Sequence, residues 1–269
     1  MKREIKKNNK RIVVILNILQ LIFIIMLIYA SVEIVRWYLN KRENDNISKK
    51  IANSINIKLD NLNEQNNVIT QKYEIDFDTL KQKNEDTVAF LKVKGTDVET
   101  IVVKGKDNPY YLSHNFEKKK NKGGWVFADY KNKIDGTDKN LIIYGHNMKD
   151  GSMFGTLKNI LKQEWYNNEE NYEIEFITQK EEQVYRVFSV YQIKDEDYYI
   201  KTEFKNNEFK KFIETLKKRS IKDFNVEVTG EDSILTLSTC ANNNKYRVVL
   251  HAKRIKWKWM MVNNYNLYY

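Results

Sequence analysis

The spacing of apolar positions changes twice along the chain, and the first stretch is a nearly unbroken apolar run from Ile12 to Ala30. Its polar residues are Asn17 and Gln20. Because a helix needs about 20 apolar residues to cross a bilayer core, the run predicts a transmembrane helix. The alternative is a cleaved signal peptide, whose apolar region covers only about 7–15 residues and ends in small residues. Apolar residues continue here to Tyr38, which favours an uncleaved anchor.

The second stretch, residues 43–85, is mostly polar. Within it, branched apolar residues recur at every fourth position, at Ile47, Ile51, Ile55 and Leu59. This spacing puts them on one side of a helix and predicts a weakly amphipathic helical stalk between the membrane and the rest of the chain. For residues 60–72 a partly disordered tether is an equally reasonable alternative.

After residue 86 the pattern changes to short β-type runs, namely VAFLKV, TIVVK, NLIIYG, YEIEFIT, VYRVFSVYQI, ILTLST and YRVVLHAKRI. Seven such runs with few helices predict a mainly β domain built as a closed or nearly closed β-barrel. Two helices are expected to interrupt the barrel, one near SMFGTLKNIL and one near NEFKKFIETLKKRS. The second helix has an apolar face formed by Phe209, Phe212, Ile213 and Leu216.

The net charge of +10 could suggest a nucleic-acid partner. However, the first 11 residues hold six basic residues and one acidic residue, a net +5, which is half of the excess. The remaining lysines alternate with acidic residues, and no nucleic-acid-binding motif is present, so nucleic acid is not expected as a partner. The basic N-terminal flank outweighs Lys41 and Arg42 and predicts a cytoplasmic N-terminus with the rest of the chain outside.

The chain contains one cysteine, Cys240, at the end of the run TLSTC. A lone cysteine after an apolar strand is ordinarily a small buried residue. Here a short polar segment and a second strand follow, so a hairpin could bring Arg247 opposite Cys240. A register shifted by one residue would turn the arginine to the other face, and the sequence leaves that register open. A guanidinium beside a thiol favours the thiolate and can stabilise an oxyanion.

A catalytic thiol also needs a histidine partner, and the chain offers three candidates. His251 lies four residues beyond Arg247, too far along an extended strand to share its place, and is expected to be structural. His114 stands between aromatic residues and is expected to be a packing residue. His146 follows a buried-type strand at the start of a glycine-bearing loop, where catalytic groups often occur, and is the candidate partner of the thiol.

Together these features resemble the sortase family, and the segments NLIIYGHNMKDGSMFGTL and KDNPYYLSHNF resemble its class B. The resemblance covers about residues 74–256. It implies a sortase-type barrel in which Cys240 attacks the threonine carbonyl of a sorting signal. His146 would then be the acid and base, and Arg247 would stabilise the oxyanion. A substrate groove is implied at Asn108, Leu112, Tyr144, Tyr199, Ile200 and Ser238.

Two departures from class B concern the substrate. The segment TIVVKGK stands where a proline-containing PVVQ stretch is usual, and Ala241 stands where an acidic residue commonly follows the cysteine. The peptide preference is therefore expected to differ from the usual motif of the class. No metal-ligand spacing is present, and neither a metal nor a cofactor is expected.

The expected organisation is a cytoplasmic tail (1–11), a transmembrane helix (12–38), a stalk (39–73) and a catalytic domain (74–269). The leading functional hypothesis is a membrane-anchored transpeptidase acting on surface proteins with a C-terminal sorting signal and on a peptidoglycan amine. Two alternatives remain open. One is a cysteine peptidase that gives the same acyl-enzyme to water, and the other is a non-catalytic cell-surface scaffold.

Overall fold

The computed structural model describes residues 2–61, 69–194, 196–240 and 246–255 of the chain. Two compact units are present, Met1–Asp45 and Asn46–Tyr269. The first unit consists of helix, and its apolar residues from Ile12 onward are exposed, as expected for a segment that faces lipid. The second unit contains the barrel, and it begins within the predicted stalk.

The helices are α1 (Lys2–Ala52), α2 (Phe77–Lys83), α3 (Gln163–Tyr166) and α4 (Glu208–Arg219). The first five strands are β1 (Ile55–Asn61), β2 (Ile69–Ile75), β3 (Thr87–Val93), β4 (Glu99–Val103) and β5 (Phe127–Ala128). The other strands are β6 (Asn140–His146), β7 (Glu173–Thr178), β8 (Glu182–Lys194), β9 (Ile234–Cys240) and β10 (Tyr246–Ile255).

Eight of these strands form a closed barrel in the order β10-β8-β7-β3-β4-β5-β6-β9. Most neighbours are antiparallel, but β6 pairs with β9 in parallel and β4 pairs with β5 in parallel. The prediction of a barrel is confirmed, and all seven predicted runs are strands of it. The eighth strand, β5, has two residues and was not predicted, because so short a strand has no recognisable period.

The predicted helical stalk is wrong beyond Ala52, where the chain forms the two-stranded sheet β1-β2. Ile55 and Leu59 are four positions apart, and residues four apart share a face of a strand as well as a face of a helix. The spacing therefore does not separate the two structures, and pairing with β2 decides between them. A tether was the alternative for residues 60–72; the two ends of this range belong to β1 and β2, and residues 62–68 lie outside the described residues.

The barrel interior is filled by side chains from every strand, and two further apolar clusters cover its outer face. One outer cluster lies under the loop between β4 and β5. The other lies under α4, which buries the four side chains predicted for its apolar face. Near SMFGTLKNIL a short 3₁₀ turn, Leu157–Leu161, precedes α3 in place of one longer helix.

Helix α2 packs on the outside of the barrel through Leu80, which is fully buried. We expect Leu80→Ala to lower the free energy of unfolding by about 2–5 kcal/mol, because the truncation removes buried contacts and leaves a cavity. Chemical denaturation followed by tryptophan fluorescence measures the change. Gln82→Ala, at an exposed position of the same helix, should change it by less than about 0.5 kcal/mol. Equal losses in the two variants would contradict the packing described here.

Candidate active site

The centre of the candidate site is the parallel pairing of β6 and β9. Their register sets Tyr144 beside Ser238 and His146 beside Cys240. His146 is the last residue of β6, and Cys240 is the last residue of β9. Neighbouring strands lie about 4.8 Å apart, so the two predicted catalytic residues are adjacent at one end of the barrel.

Arg247 approaches the same place from the other side of β9. Strands β9 and β10 are antiparallel, with Val249 opposite Ser238. Cys240 lies two residues beyond Ser238 on β9, and Arg247 lies two residues before Val249 on β10, so an unshifted register would set them opposite each other across a six-residue connection. The side chain of Arg247 is half-buried. Ala241, where the sequence departs from class B, lies outside the described residues.

The imidazole of His146 is 7% exposed, and its orientation is fixed by one backbone contact. Nε2 lies 2.7 Å from the carbonyl oxygen of Leu112. Since a carbonyl oxygen can only accept, Nε2 carries the proton, and Nδ1 of the neutral ring is the acceptor. Nδ1 is buried and has no hydrogen-bond partner among the residues that the structure describes. In this tautomer Nδ1 is therefore the unprotonated nitrogen of the ring.

The loop after His146 folds back tightly on the end of β6. The backbone carbonyl oxygen of His146 accepts hydrogen bonds from the backbone N–H groups of Met148 and Phe154. The Phe154 ring, which is fully buried, lies against Gly145, and a Cβ atom at Gly145 would come within 2.6 Å of it. Glycine is therefore required beside the histidine, and this explains the YGHN sequence in physical terms.

Tyr111, the residue before Leu112, belongs to a buried hydrogen-bonded cluster. Asn84, the residue that ends α2, donates hydrogen bonds to the Tyr111 hydroxyl and to the Phe116 carbonyl. The Tyr111 hydroxyl in turn donates to Asp86. Burial, followed by the hydrogen bond to Asp86, raises the pKa of Tyr111. Helix α2 thus reaches the active-site loop through a neutral, donating tyrosine.

Asn108 and Tyr144, both predicted to bind substrate, meet at one carboxylate. The Asn108 amide nitrogen and the Tyr144 hydroxyl each donate to Oδ2 of Asp129 at 2.9 Å. The Asn108 amide oxygen accepts from the backbone N–H of Tyr130. Asp129 is 2% exposed. Sequence reasoning missed Asp129, because a single carboxylate between two loops has no distinctive spacing.

The other predicted groove residues lie on the opposite flank. The hydroxyl groups of Tyr199 and Ser238 are 2.9 Å apart, and both side chains are fully buried. Ile200 is partly buried and packs against both outer apolar clusters. Asn108, Leu112 and Ile200 are therefore the partly exposed members of the predicted set, and Tyr144, Tyr199 and Ser238 are the buried members.

The two remaining histidines have local partners. His114 stacks on Tyr110 with ring centroids 4.2 Å apart, and its Nδ1 lies 2.8 Å from the Tyr110 carbonyl oxygen. His251 is completely buried between the hydroxyls of Thr236 and Tyr191. Both are structural in the sense that the sequence predicted, and His146 is the histidine that lies beside Cys240.

Comparison with known proteins identifies the same barrel. The sequence model of the sortase domain matches residues 91–255. Sortase B of Listeria monocytogenes is 38% identical over 189 residues, which cover 65% of this chain and 72% of that protein. Sortase B of Staphylococcus aureus is 31% identical over 245 residues, which cover 90% of this chain and 97% of that protein.

Solved structures agree with these relatives. Sortase B of B. anthracis in complex with AAEK1 superposes with a TM-score of 0.69 at 32% identity, covering 81% of this chain and 99% of that one. A substrate complex of S. aureus sortase B gives a TM-score of 0.63 at 35% identity, covering 67% and 85% of the two chains. With the barrel, the sequence match and these relatives in agreement, the chain belongs to the sortase family, and it resembles the sortase B members throughout the barrel.

Proposed function

We propose that this chain cleaves a C-terminal sorting signal after threonine and transfers the protein to an amine of peptidoglycan. As a sortase related to sortase B, it is a cysteine transpeptidase. One observation carries the finer proposal. The register of β6 with β9 sets His146 beside Cys240, and the register of β9 with β10 ends with Ser238 opposite Val249, two residues from Cys240 and two residues from Arg247.

In the proposed reaction the Cys240 thiolate attacks the threonine carbonyl carbon. The tetrahedral intermediate collapses, the peptide C–N bond breaks, and a thioester forms between Cys240 and the threonine. The leaving amine takes a proton as it departs. The amine of the acceptor then attacks the thioester, loses a proton, and releases the thiolate as a new peptide bond forms.

His146 is proposed to supply and receive these protons. With Nε2 held by the Leu112 carbonyl, Nδ1 is the atom available for proton transfer. Its burial keeps bulk water away from the ring, and the adjacent position of Cys240 in the sheet supports transfer between the two side chains. The acid form of His146 protonates the leaving amine, and the basic form accepts a proton from the incoming amine.

Arg247 is proposed to stabilise the oxyanion that forms on the threonine carbonyl. Its guanidinium is permanently charged and presents several N–H donors in one plane. A half-buried position strengthens this interaction, since the local dielectric constant is lower than in water. The same charge favours the thiolate form of Cys240.

The sorting signal is proposed to lie across the site between two loops. Asn108 and Leu112 on one side and Ile200 on the other offer partly exposed surface, and Tyr144, Tyr199 and Ser238 support it from below. The similar S. aureus sortase B structure is a substrate complex, which supports a substrate-binding role for this barrel. Surface proteins with such a signal and a peptidoglycan amine are the proposed partners.

The N-terminal helix is compatible with a single-pass membrane anchor, because the stretch from Ile12 is long and apolar enough to cross a bilayer. We propose the division into tail (1–11), transmembrane helix (12–38), stalk (39–73) and catalytic domain (74–269). The basic tail supports a cytoplasmic N-terminus, with the catalytic domain outside, where peptidoglycan amines are found.

We expect Cys240→Ala to abolish peptide cleavage and labelling by iodoacetamide, because Cys240 is the only thiol in the chain. Mass spectrometry of the detergent-solubilised chain, incubated with threonine-containing signal peptides with and without amines, measures both. The wild-type chain should accumulate a peptide adduct on Cys240, and amines should convert it to a transfer product. Persistent cleavage by the variant would refute the covalent mechanism. Release to water alone, at any amine concentration, would favour the peptidase.

We expect His146→Ala to block acylation by a peptide but to allow acylation by an activated thioester, whose leaving group needs no proton. Adduct formation from the two substrates, followed by mass spectrometry, separates these outcomes. His114→Ala is the matched control and should acylate with both substrates, since His114 bonds to Tyr110 outside the proposed triad. Equal losses on both substrates in His146→Ala would assign this residue a different role.

We expect Arg247→Lys to lower kcat by roughly 10²–10³, because lysine keeps the charge but loses the planar donors. Steady-state kinetics with the cleaved peptide measure the loss. Arg254→Lys on the same strand is the matched control. Arg254 bonds to Glu181 and Gly136 at the far end of β10, so this control should stay within about threefold of wild type. Near-normal turnover by Arg247→Lys would show that charge alone suffices.

A further inference from the structure

The segment between β8 and α4, residues 196–207, has no regular secondary structure and carries Tyr199 and Ile200. We call it the groove loop. Its internal backbone hydrogen bonds are local, such as that from Ile200 N to the Asp197 carbonyl at 2.8 Å. A loop of this kind takes its conformation largely from side chains that hold it against the barrel. The side-chain contacts that hold the groove loop against the barrel form one continuous hydrogen-bond network.

The hydrogen-bond network begins at a side chain of the groove loop. The Tyr198 hydroxyl donates to the Tyr191 hydroxyl on β8 at 2.8 Å. The Tyr191 hydroxyl lies 2.8 Å from Nε2 of His251 on β10. Because Tyr198 is the donor to Tyr191, the single hydrogen of the Tyr191 hydroxyl is available, and Tyr191 donates it to His251. Nε2 of His251 is therefore the acceptor nitrogen.

A neutral imidazole that accepts at Nε2 carries its proton at Nδ1. Nδ1 of His251 lies 2.9 Å from the hydroxyl oxygen of Thr236 on β9. The Thr236 hydroxyl then donates to the Asn140 amide oxygen at 2.6 Å. Burial lowers the pKa of His251 to about 3, so the ring remains neutral. The donor and the acceptor of each hydrogen bond in the network are therefore fixed.

The hydrogen-bond network returns to the groove loop through Asn140, the first residue of β6. With its amide oxygen bound by Thr236, its nitrogen donates to two backbone carbonyls, those of Tyr199 at 3.3 Å and Lys201 at 2.9 Å. These two carbonyls flank Ile200. Every donor from Tyr198 to Asn140 has an acceptor, and both ends of the hydrogen-bond network bind the groove loop.

We propose that Tyr191, His251, Thr236 and Asn140 are positioning residues that hold the groove loop in its peptide-binding conformation. This inference rests on the proposed function of the groove. It is supported by a second contact, because the Tyr199 hydroxyl lies 2.9 Å from the Ser238 hydroxyl oxygen. Ser238 is two residues before Cys240, so the network aligns the loop with the strand that ends in the nucleophile.

A plain packing role is the competing explanation, and Thr236 distinguishes the two. Thr236→Val keeps the shape of the side chain but removes the hydroxyl between His251 and Asn140. Thr236→Ser keeps the hydroxyl but removes a buried methyl group. If the site needs only packing, serine is the more harmful change. If the network positions the loop, valine is the more harmful change.

The test uses the detergent-solubilised full chain and a threonine-containing peptide that the wild-type chain cleaves. Thr236→Val should raise KM about tenfold and change kcat less, whereas Thr236→Ser should stay within about threefold of wild type. Alkylation of Cys240 by iodoacetamide should keep its rate in both variants, because this reaction needs no groove loop. Hydrogen exchange in residues 196–207 should accelerate in the valine variant alone.

Tyr191→Phe provides a second route, since it removes the hydroxyl between Tyr198 and His251. Tyr185→Phe is its matched control on the same strand, where a buried hydroxyl donates to Gln183 instead. Faster exchange in the loop is expected for Tyr191→Phe and not for Tyr185→Phe. Unchanged exchange and KM in both Thr236→Val and Tyr191→Phe, or greater loss in serine than in valine, would overturn the proposal. Failure of the wild-type chain to cleave any peptide would refute the proposed function instead, and exchange would still report on the network.

Discussion

The parallel pairing of β6 with β9 is the interaction on which the rest of this structure depends. Backbone hydrogen bonds in register set His146 beside Cys240, although the two residues are far apart in sequence. Parallel strands cannot be joined by a tight turn, so the chain between them supplies β7, β8 and α4. The long connection that this pairing requires also carries Tyr199 and Ile200 of the proposed substrate groove.

Polar groups on the outer face of these strands are buried, and buried polar groups need partners. Two sets of hydrogen bonds satisfy this requirement. Asp129 binds Asn108 and Tyr144 on one flank, and His251 links Tyr191 to Thr236 on the other. Each set fixes one loop over the barrel, so the positions of the loops relative to the nucleophile strand follow from hydrogen bonding as well as from apolar packing.

The histidines illustrate how environment assigns roles to one residue type. The ring of His251 has hydroxyl groups at both nitrogens, and burial keeps it neutral. The ring of His146 has one nitrogen bound by the Leu112 carbonyl and the other without a partner in the described part of the chain. A ring satisfied at both nitrogens stabilises the fold, whereas a ring satisfied at one leaves a nitrogen for the proton transfer that we propose.

The sequence by itself determined the apolar N-terminal helix, the seven long strands and the three candidate residues. Those features depend on local composition, on period and on a distinctive motif. It did not determine β5, the β1-β2 sheet, the side of β10 that Arg247 occupies or the role of Asp129. Spacing of four fits a helix and a strand alike, and a two-residue strand has no period. Strand register and the partner of a single carboxylate depend on contacts between distant segments, which exist only once the barrel has closed.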